Sequence, residues 1–463
     1  MAISMSRNPL LRIICLCILY CAQGIPHGFI TIAMTAWLVT QGASTMGIAA
    51  IATASVLPWS FKWCWGPIVD RFQIPAYGRR RPWIIFGQSM MMMTALTIGN
   101  VSDPVENISI LATLIFIHNL FGGLQDVGVD ALAVDLLDPK ERGRVNGLMY
   151  GSKYLGTAIG GAGLGAVLAA TDLTTAILGM VTLLGMIMCV PIFIRERPGE
   201  RLLPFGGRWT ARLAEDASQT DEGSANHSVG ELLRRLFRGF GRRSTIMAGI
   251  LALMVWIPNG LTYPVSMTLF MNDLGWTQEA YSTLSGTWGV AAGITGCLVG
   301  GFAADLIGVR RLAGVACVFY ALLLAAFAIA PRPWWEDQTL LSVYIVVTDA
   351  TQGMLTVTLF ALFMSVSWRL IAATQFTAYM SMLNLSYSIG NNISPWLVAE
   401  SQESGPLMDI RSIYLMAAVI QVGIIMLLPF CRPWHDEDSK SETRTDQLGT
   451  VDEESVTPGS QST

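Results

Sequence analysis

The sequence predicts an all-α polytopic membrane protein of twelve transmembrane helices, arranged as two six-helix pseudo-repeats. Three observations predict it. The 463 residues are 52% hydrophobic and only 13% charged, about half the charged share of a soluble chain, which leaves too little polar surface to coat a water-soluble particle. Apolar runs of about 20 residues, the length that crosses a bilayer core, recur along nearly the whole chain. A short polar turn occurs twice between such runs: Gly66, Asp70, Arg71, Gly78, Arg79, Arg80 and Arg81 form one copy, and Gly301, Asp305, Gly308, Arg310 and Arg311 the other.

Taken in order, the apolar runs place spans at 10–37, 44–66, 83–101, 109–136, 142–170, 173–194, 245–271, 277–306, 311–330, 339–366, 370–399 and 408–431. Several exceed the minimum length, which permits tilt. The first run has no small-residue cleavage site and is too long for the core of a signal peptide, so it reads as a helix. An even count leaves both termini on one face. On that face lie Arg71, Arg79–Arg81, Lys140, Arg142, Arg144, Arg310, Arg311 and Arg369. The opposite loops carry Asp103, Glu106, Asp172, Asp273, Glu279, Glu336, Asp337, Glu403 and Asp409, with only Arg332 and Arg411 as cations. Positive charge stays inside, so both termini are expected in the cytoplasm.

The chain then divides into an N-terminal six-helix half (1–194), a central loop (195–244), a C-terminal six-helix half (245–431) and an acidic tail (432–463). In the central loop Val229, Leu232, Leu233, Leu236, Phe237 and Phe240 recur at helical spacing, interleaved with Arg234, Arg235 and Arg238 and followed by Arg242 and Arg243. The pattern suits a helix lying on an anionic leaflet; it suits equally a solvated basic loop that only fixes topology. The tail is rich in Ser, Thr, Asp and Glu and is expected to be disordered. The eight cysteines lie within or at the ends of apolar runs without zinc-ligand spacing, and read as packing residues. Nothing points to a metal, a cofactor or nucleic acid, and no Walker A loop suggests an ATP-driven pump.

The duplication has a register. Asp70 and Asp305 lie 235 positions apart, Arg79 and Arg310 lie 231 apart, and at the latter offset Lys153 matches Asn384. Halves that superpose in this way fit a transporter built of parallel repeats around a central cavity. An aspartate at a helix end accepts hydrogen bonds from arginines and from a neighbouring helix N-terminus. The two turns therefore read as gate latches that hold the halves together on one face; arginines that only fix topology are the alternative.

Charges inside a membrane mark function by default. Asp126 lies about ten residues from the inner end of the fourth span, roughly 15 Å deep, and Lys153 about twelve residues into the fifth, roughly 17 Å deep, at 1.5 Å per residue. Asp130 follows Asp126 by one turn on the same face. An Asp126–Lys153 ion pair is expected, with Lys153 meeting a substrate anion and Asp126 or Asp130 carrying a coupling proton; a static pair locking spans four and five is the alternative. His27, flanked by Gly24, Pro26 and Gly28 where the helix should loosen, is a further candidate for substrate or a proton, with a packed histidine bonded to a carbonyl as the alternative. In the second half Asp349 and Gln352 share a face, as do Asn384 and Asn391, and Asn259 and Tyr263 in a span bent by Pro258 and Pro264. Each of these alone is also ordinary interhelical glue, as is His118. Trp59, Trp63 and Trp65 read as interface anchors, and Gly156, Gly160, Gly161, Gly163 and Gly165 as close-packing positions.

The first turn, with Trp65, Gly66, Pro67, Asp70, Arg71, Pro75, Gly78, Arg79–Arg81, Pro82, Trp83 and Gln88, resembles the corresponding motif of the major facilitator superfamily in its AmpG-type muropeptide permeases. Three further stretches agree: Gln23 to Pro26, Gln125 to Asp130 with Glu141 to Gly143, and Ala373 to Phe376. The turn is also similar to that of the acetyl-CoA transporter family, as is the segment from Tyr379 to Asn391. Some AmpG-type permeases have extra spans, which this chain lacks. The resemblance implies the major facilitator fold and a non-enzymatic, AmpG-like secondary transporter of the bacterial inner membrane. It implies import or efflux of a polar, anionic, medium-sized solute, and it adds Gln125 to the candidate residues; alternating access in a monomer is expected, and coupling to protons is the expectation that Asp126, Asp130 and His27 carry. Acyl-CoA-like cofactors and siderophores or other organic ions are alternative substrates; a membrane-embedded transferase and a non-transporting receptor are alternatives of another class.

Overall fold

A computed structural model describes residues 4–72, 74, 76–137, 142–202, 241–367, 372–398, 400–401, 405–406 and 408–432. The spans are, in order, Pro9–Thr40, 45–71, Arg81–Gly99, Ile108–Leu136, 142–170, Leu173–Phe193, Arg243–Asp273, 278–307, Val309–Ile329, Gln338–Val366, Ala372–Val398 and Ile410–Ile425; they are called spans 1 to 12 below. Eight are long and apolar enough to cross a membrane by themselves. The other four are spans 2, 3, 5 and 11, and spans 2 and 5 bring Lys62 and Lys153 into the helical layer. The expected leaflet helix before residue 241 and the acidic tail beyond Arg432 lie outside the described residues.

Sequence decides where helices begin. Five of the six spans that start on the face opposite the termini open on a capping side chain: Ser44, Asp172, Thr277, Asp337 and Asp409 each accept from a backbone N–H two or three residues on. The acidic residues of those loops thus complement the positive helix ends as well as marking topology. The outer surface of the bundle is apolar: Leu306 is 85% and Met426 77% exposed, a surface that only lipid would cover.

Spans 1, 5, 7 and 8 each contain a π-helical turn, at Phe29–Met34, Ile159–Gly163, Leu269–Asp273 and Leu284–Gly289. The expected loosening of span 1 at Gly24–Gly28 falls one turn later, and the bend of span 7 falls at Val255–Trp256, just before Pro258. Such turns widen a helix locally, and here they sit where the halves touch. At the crossing of spans 5 and 8 a side chain on Gly286 would come within 2.4 Å of the Ala162 backbone nitrogen. Around it Tyr263 donates to the Thr31 carbonyl (2.6 Å), Asn392 to Thr53 (2.8 Å) and Gln278 to the Gly165 carbonyl (3.3 Å). Further in, Tyr154 lies 3.8 Å from Cys297 near mid-membrane. The halves are therefore closed against each other on the side away from the termini.

Candidate functional site

Below that closure the first half presents a charged wall. Span 2 lays Lys62 against span 4, with its Nζ 3.2 Å from Asp126 Oδ2. One turn along span 4, Asp130 accepts a hydrogen bond from the Tyr20 hydroxyl of span 1, and the Tyr20 ring meets Tyr150 of span 5 edge to face at 5.8 Å. Lys153 of span 5 sits 4.7 Å over the Trp59 ring, whose indole nitrogen is tethered to Asn119 (3.2 Å). Spans 1 and 5 touch through backbone, since a side chain on Gly24 would lie 1.9 Å from the Lys153 carbonyl oxygen. That contact fixes the height of Lys153, and His27 lies within its field. Lys62, Asp126, Asp130 and Lys153 form no hydrogen bond or ion pair with described residues of the second half.

This arrangement corrects the sequence expectation in two places. Asp126 pairs with Lys62, and Lys153 rests on an aromatic face instead of a carboxylate. Equal depth on neighbouring helices gave the right height for Lys153, but the faces of spans 2 and 4 decide the partner. Trp59 is no interface anchor, because it lies inside the bundle as the seat of Lys153. Gln125 is fully buried and faces span 1, accepting from Gln23 (3.0 Å) and donating to the Leu19 carbonyl (3.3 Å). His118 makes the expected interhelical contacts, to the Met91 carbonyl (3.0 Å) and Thr94 (3.1 Å).

On the second half's wall Asp349 rests on span 8 where Gly289 has no side chain; a Cβ there would be 2.4 Å from its carboxylate. Among the described residues it has no ion pair, and Tyr154, Tyr281, Tyr320 and Tyr344 lie in its field. Asn259 donates to Gln352 (2.7 Å). Asn384 is half-buried, whereas Asn391 is fully buried beside the close crossing of Gly260 and Gly390.

At the face of the termini Gly78 takes φ +124°, a region open to glycine, and turns the chain so that Glu196 accepts the backbone N–H groups of Arg79 (3.1 Å), Arg80 (2.8 Å) and Arg81 (2.5 Å). Arg80 pairs with Asp135 (2.8 Å). Arg81 is fully buried and donates to the carbonyls of Pro191 (2.8 Å), Tyr77 (2.7 Å) and Ile192 (3.0 Å), with Glu200 3.7 Å away. Burial raises the pKa of Glu196, and burial together with the Glu196 charge raises that of Glu200 to about 7. These described partners belong to the turn itself, to spans 4 and 6 and to the chain just after span 6. Among the described residues, Arg79–Arg81 are held in a clasp within the first half. The side chains of Asp70 and Asp305 lie outside the described residues, Gly66 is half-buried, and Arg71, Arg310 and Arg311 are exposed. Gly308 repeats the positive φ of Gly78, at +87°.

Lys62, Tyr20, Tyr150, Asp135, Glu196 and Glu200 were not singled out from the sequence. Lys62 carried a signal, a lone cation inside an apolar run. The acids did not, because their partners lie more than 50 positions away.

A family model for the Major Facilitator Superfamily matches residues 13–395. The anhydromuropeptide permease of Escherichia coli K12 is 22% identical over 427 residues, covering 90% of this chain and 79% of that protein. The putative transporter AmpG 1 of Rickettsia bellii is 22% identical, covering 85% of this chain and 91% of its own. A solved D-xylose-proton symporter superposes with a TM-score of 0.65 at 14% identity, covering 92% of this chain and 98% of that one.

Proposed function

We propose that this chain, which belongs to the Major Facilitator Superfamily and is a multi-pass membrane transporter rather than an enzyme, moves a polar, anionic solute of the sugar–peptide class by alternating access, in symport with protons. The observation that carries the reading is Lys153: a cation at mid-membrane, seated on Trp59 and without a carboxylate partner among the described residues. A solute anion is the ligand it lacks, and the similarity to the anhydromuropeptide permease of Escherichia coli supplies the class.

Charge balance supplies the coupling. Lys62, Asp126, Asp130 and Lys153 sum to zero. A bound anion takes the wall to a net charge of −1 in a low-dielectric setting, and an uncompensated buried charge costs several kcal/mol. One proton on Asp130 or Asp126 restores neutrality. Asp349 on the facing wall is the remaining group able to hold a proton, and His27 stands beside Lys153 as a relay. The solute enters from the opposite side and leaves at the face of the termini, which positive-inside bias makes the cytoplasmic one, in a bacterial inner membrane. Return of the empty transporter requires separation at Gly286 and Ala162 and closure beneath the charged wall.

The test is uptake of labelled anhydromuropeptide by proteoliposomes of the full chain. Lys153→Ala should lower uptake at least tenfold with the protein still folded. Uptake unaltered in that variant removes the role assigned to Lys153.

A further inference from the structure

The second copy of the polar turn has a use that the transport site does not absorb. In the first copy the arginines are enclosed by Asp135, Glu196 and Glu200. In the second, Arg310 and Arg311 are exposed and form no ion pair with any described residue. They stand at the head of a groove of about 680 Å³ between spans 9 and 12, within the ~300–1,000 Å³ usual for small-ligand sites. Below them the groove is apolar, with Val315, Phe319 and Leu322 on one side and Leu428 on the other. Gly314 forms its floor, where an added Cβ would reach Leu428 at 3.6 Å.

We infer that this groove binds one anionic glycerophospholipid of the leaflet at the termini's face, its phosphate on Arg310 and Arg311 and an acyl chain along span 9. Three features carry the inference. From Arg311 to Leu322 span 9 rises roughly 17 Å at 1.5 Å per residue, close to half the ~30 Å hydrocarbon core, which is the reach of one leaflet. Val315 and Leu322 are 54% and 60% exposed on the outside of the bundle, where lipid lies. The charge is also complementary to a phosphate. Span 9 begins with two cations, no acidic residue in its first turn and no side-chain cap, so its positive helix end and both guanidiniums repel one another until an anion joins them. The rival occupant is the chain's own acidic segment, Asp436, Glu437 and Asp438, beyond the end of span 12. It matches the arginines but offers nothing for the apolar groove.

Native mass spectrometry of the full chain, titrated with phosphatidylglycerol or phosphatidylcholine, tests this. One phosphatidylglycerol should be retained at least tenfold more tightly than phosphatidylcholine. The preference should vanish in Arg310→Gln/Arg311→Gln, and retention of either lipid should fall in Gly314→Trp, which fills the floor without changing charge. Arg332→Gln, on the opposite face, should bind as the unaltered chain does. Equal retention by the unaltered chain and the double arginine variant would overturn the proposal. So would selective retention that emerges only when Asp436, Glu437 and Asp438 are neutralised, since the tail would then be the occupant.

Discussion

Gly78 and Gly308 both hold positive φ and both lead into arginines, yet the two turns keep their charge differently. After Gly78 the chain buries Arg81 completely and closes Arg80 on Asp135; after Gly308 the arginines lie open at a lipid-facing groove. The same contrast runs through the membrane walls. Lys62 is paired with Asp126 in the first half, while Asp349 in the second has no described counter-ion. Duplication preserved backbone geometry, which glycine dictates locally. It did not preserve charge partners, which come from distant helices and were free to diverge. In the first half Lys62, Arg80 and Arg81 have acidic partners, whereas Asp349, Arg310 and Arg311 in the second have none among the described residues.

The sharpest way to break that comparison is to make the same change on both walls. Asp126→Ala strands Lys62 without its carboxylate and should cost about 3–5 kcal/mol, the usual effect of removing one partner of a buried pair. Asp349→Asn removes no ion pair and should cost under about 1 kcal/mol. Thermal unfolding in detergent measures both, and equal losses would erase the distinction. Lys62→Gln with Asp126→Asn should regain most of the stability but not the uptake.

Next in size is the pH response of the clasp. Glu200 has a folded pKa of about 7 against an ordinary 4.5, so the folded state keeps a proton that the unfolded state has released between those values. That stability is fully present below about pH 4.5 and is lost as pH rises through about 7, by up to about 3 kcal/mol. Melting temperature should fall from pH 5 to pH 8, and Glu200→Gln should flatten the slope. An unchanged slope in that variant would place the titrating group elsewhere.

Lys153→Ala should separate transport from stability. Loss of its contact with Trp59 costs about 0.5–2 kcal/mol, whereas uptake falls at least tenfold. The smallest difference concerns the two glycines. Gly308→Ala meets open space and should cost about 1 kcal/mol from backbone strain alone. Gly78→Ala should cost more, because its Cβ would lie 2.8 Å from Glu196. A larger loss at Gly308 would contradict the view that the first turn is the closed one.

The spans were legible because length and hydropathy decide them locally: the sequence placed span 4 at 109–136, and it is Ile108–Leu136. The height of Lys153 was legible too, because rise per residue is fixed. Its partner was not. Depth says nothing about which way a helix face points, so the Lys62–Asp126 pair could be found only once spans 2 and 4 were packed. Trp59 misled for a related reason: tryptophan favours membrane interfaces, but here a basic neighbour on another helix holds it inside. The acids of the clasp, Glu196 and Glu200, lie just past an apolar run and look like ordinary loop residues until the chain after span 6 folds back against Arg81.

Charge balance on the first wall is the central claim, and solute-driven proton movement tests it most directly. Proteoliposomes of the full chain, loaded with a pH-sensitive dye and given anhydromuropeptide outside without any imposed gradient, should acidify inside, and Asp130→Asn should abolish or strongly reduce that signal. Solute accumulation without acidification, unchanged when a protonophore collapses the gradient, would contradict the account.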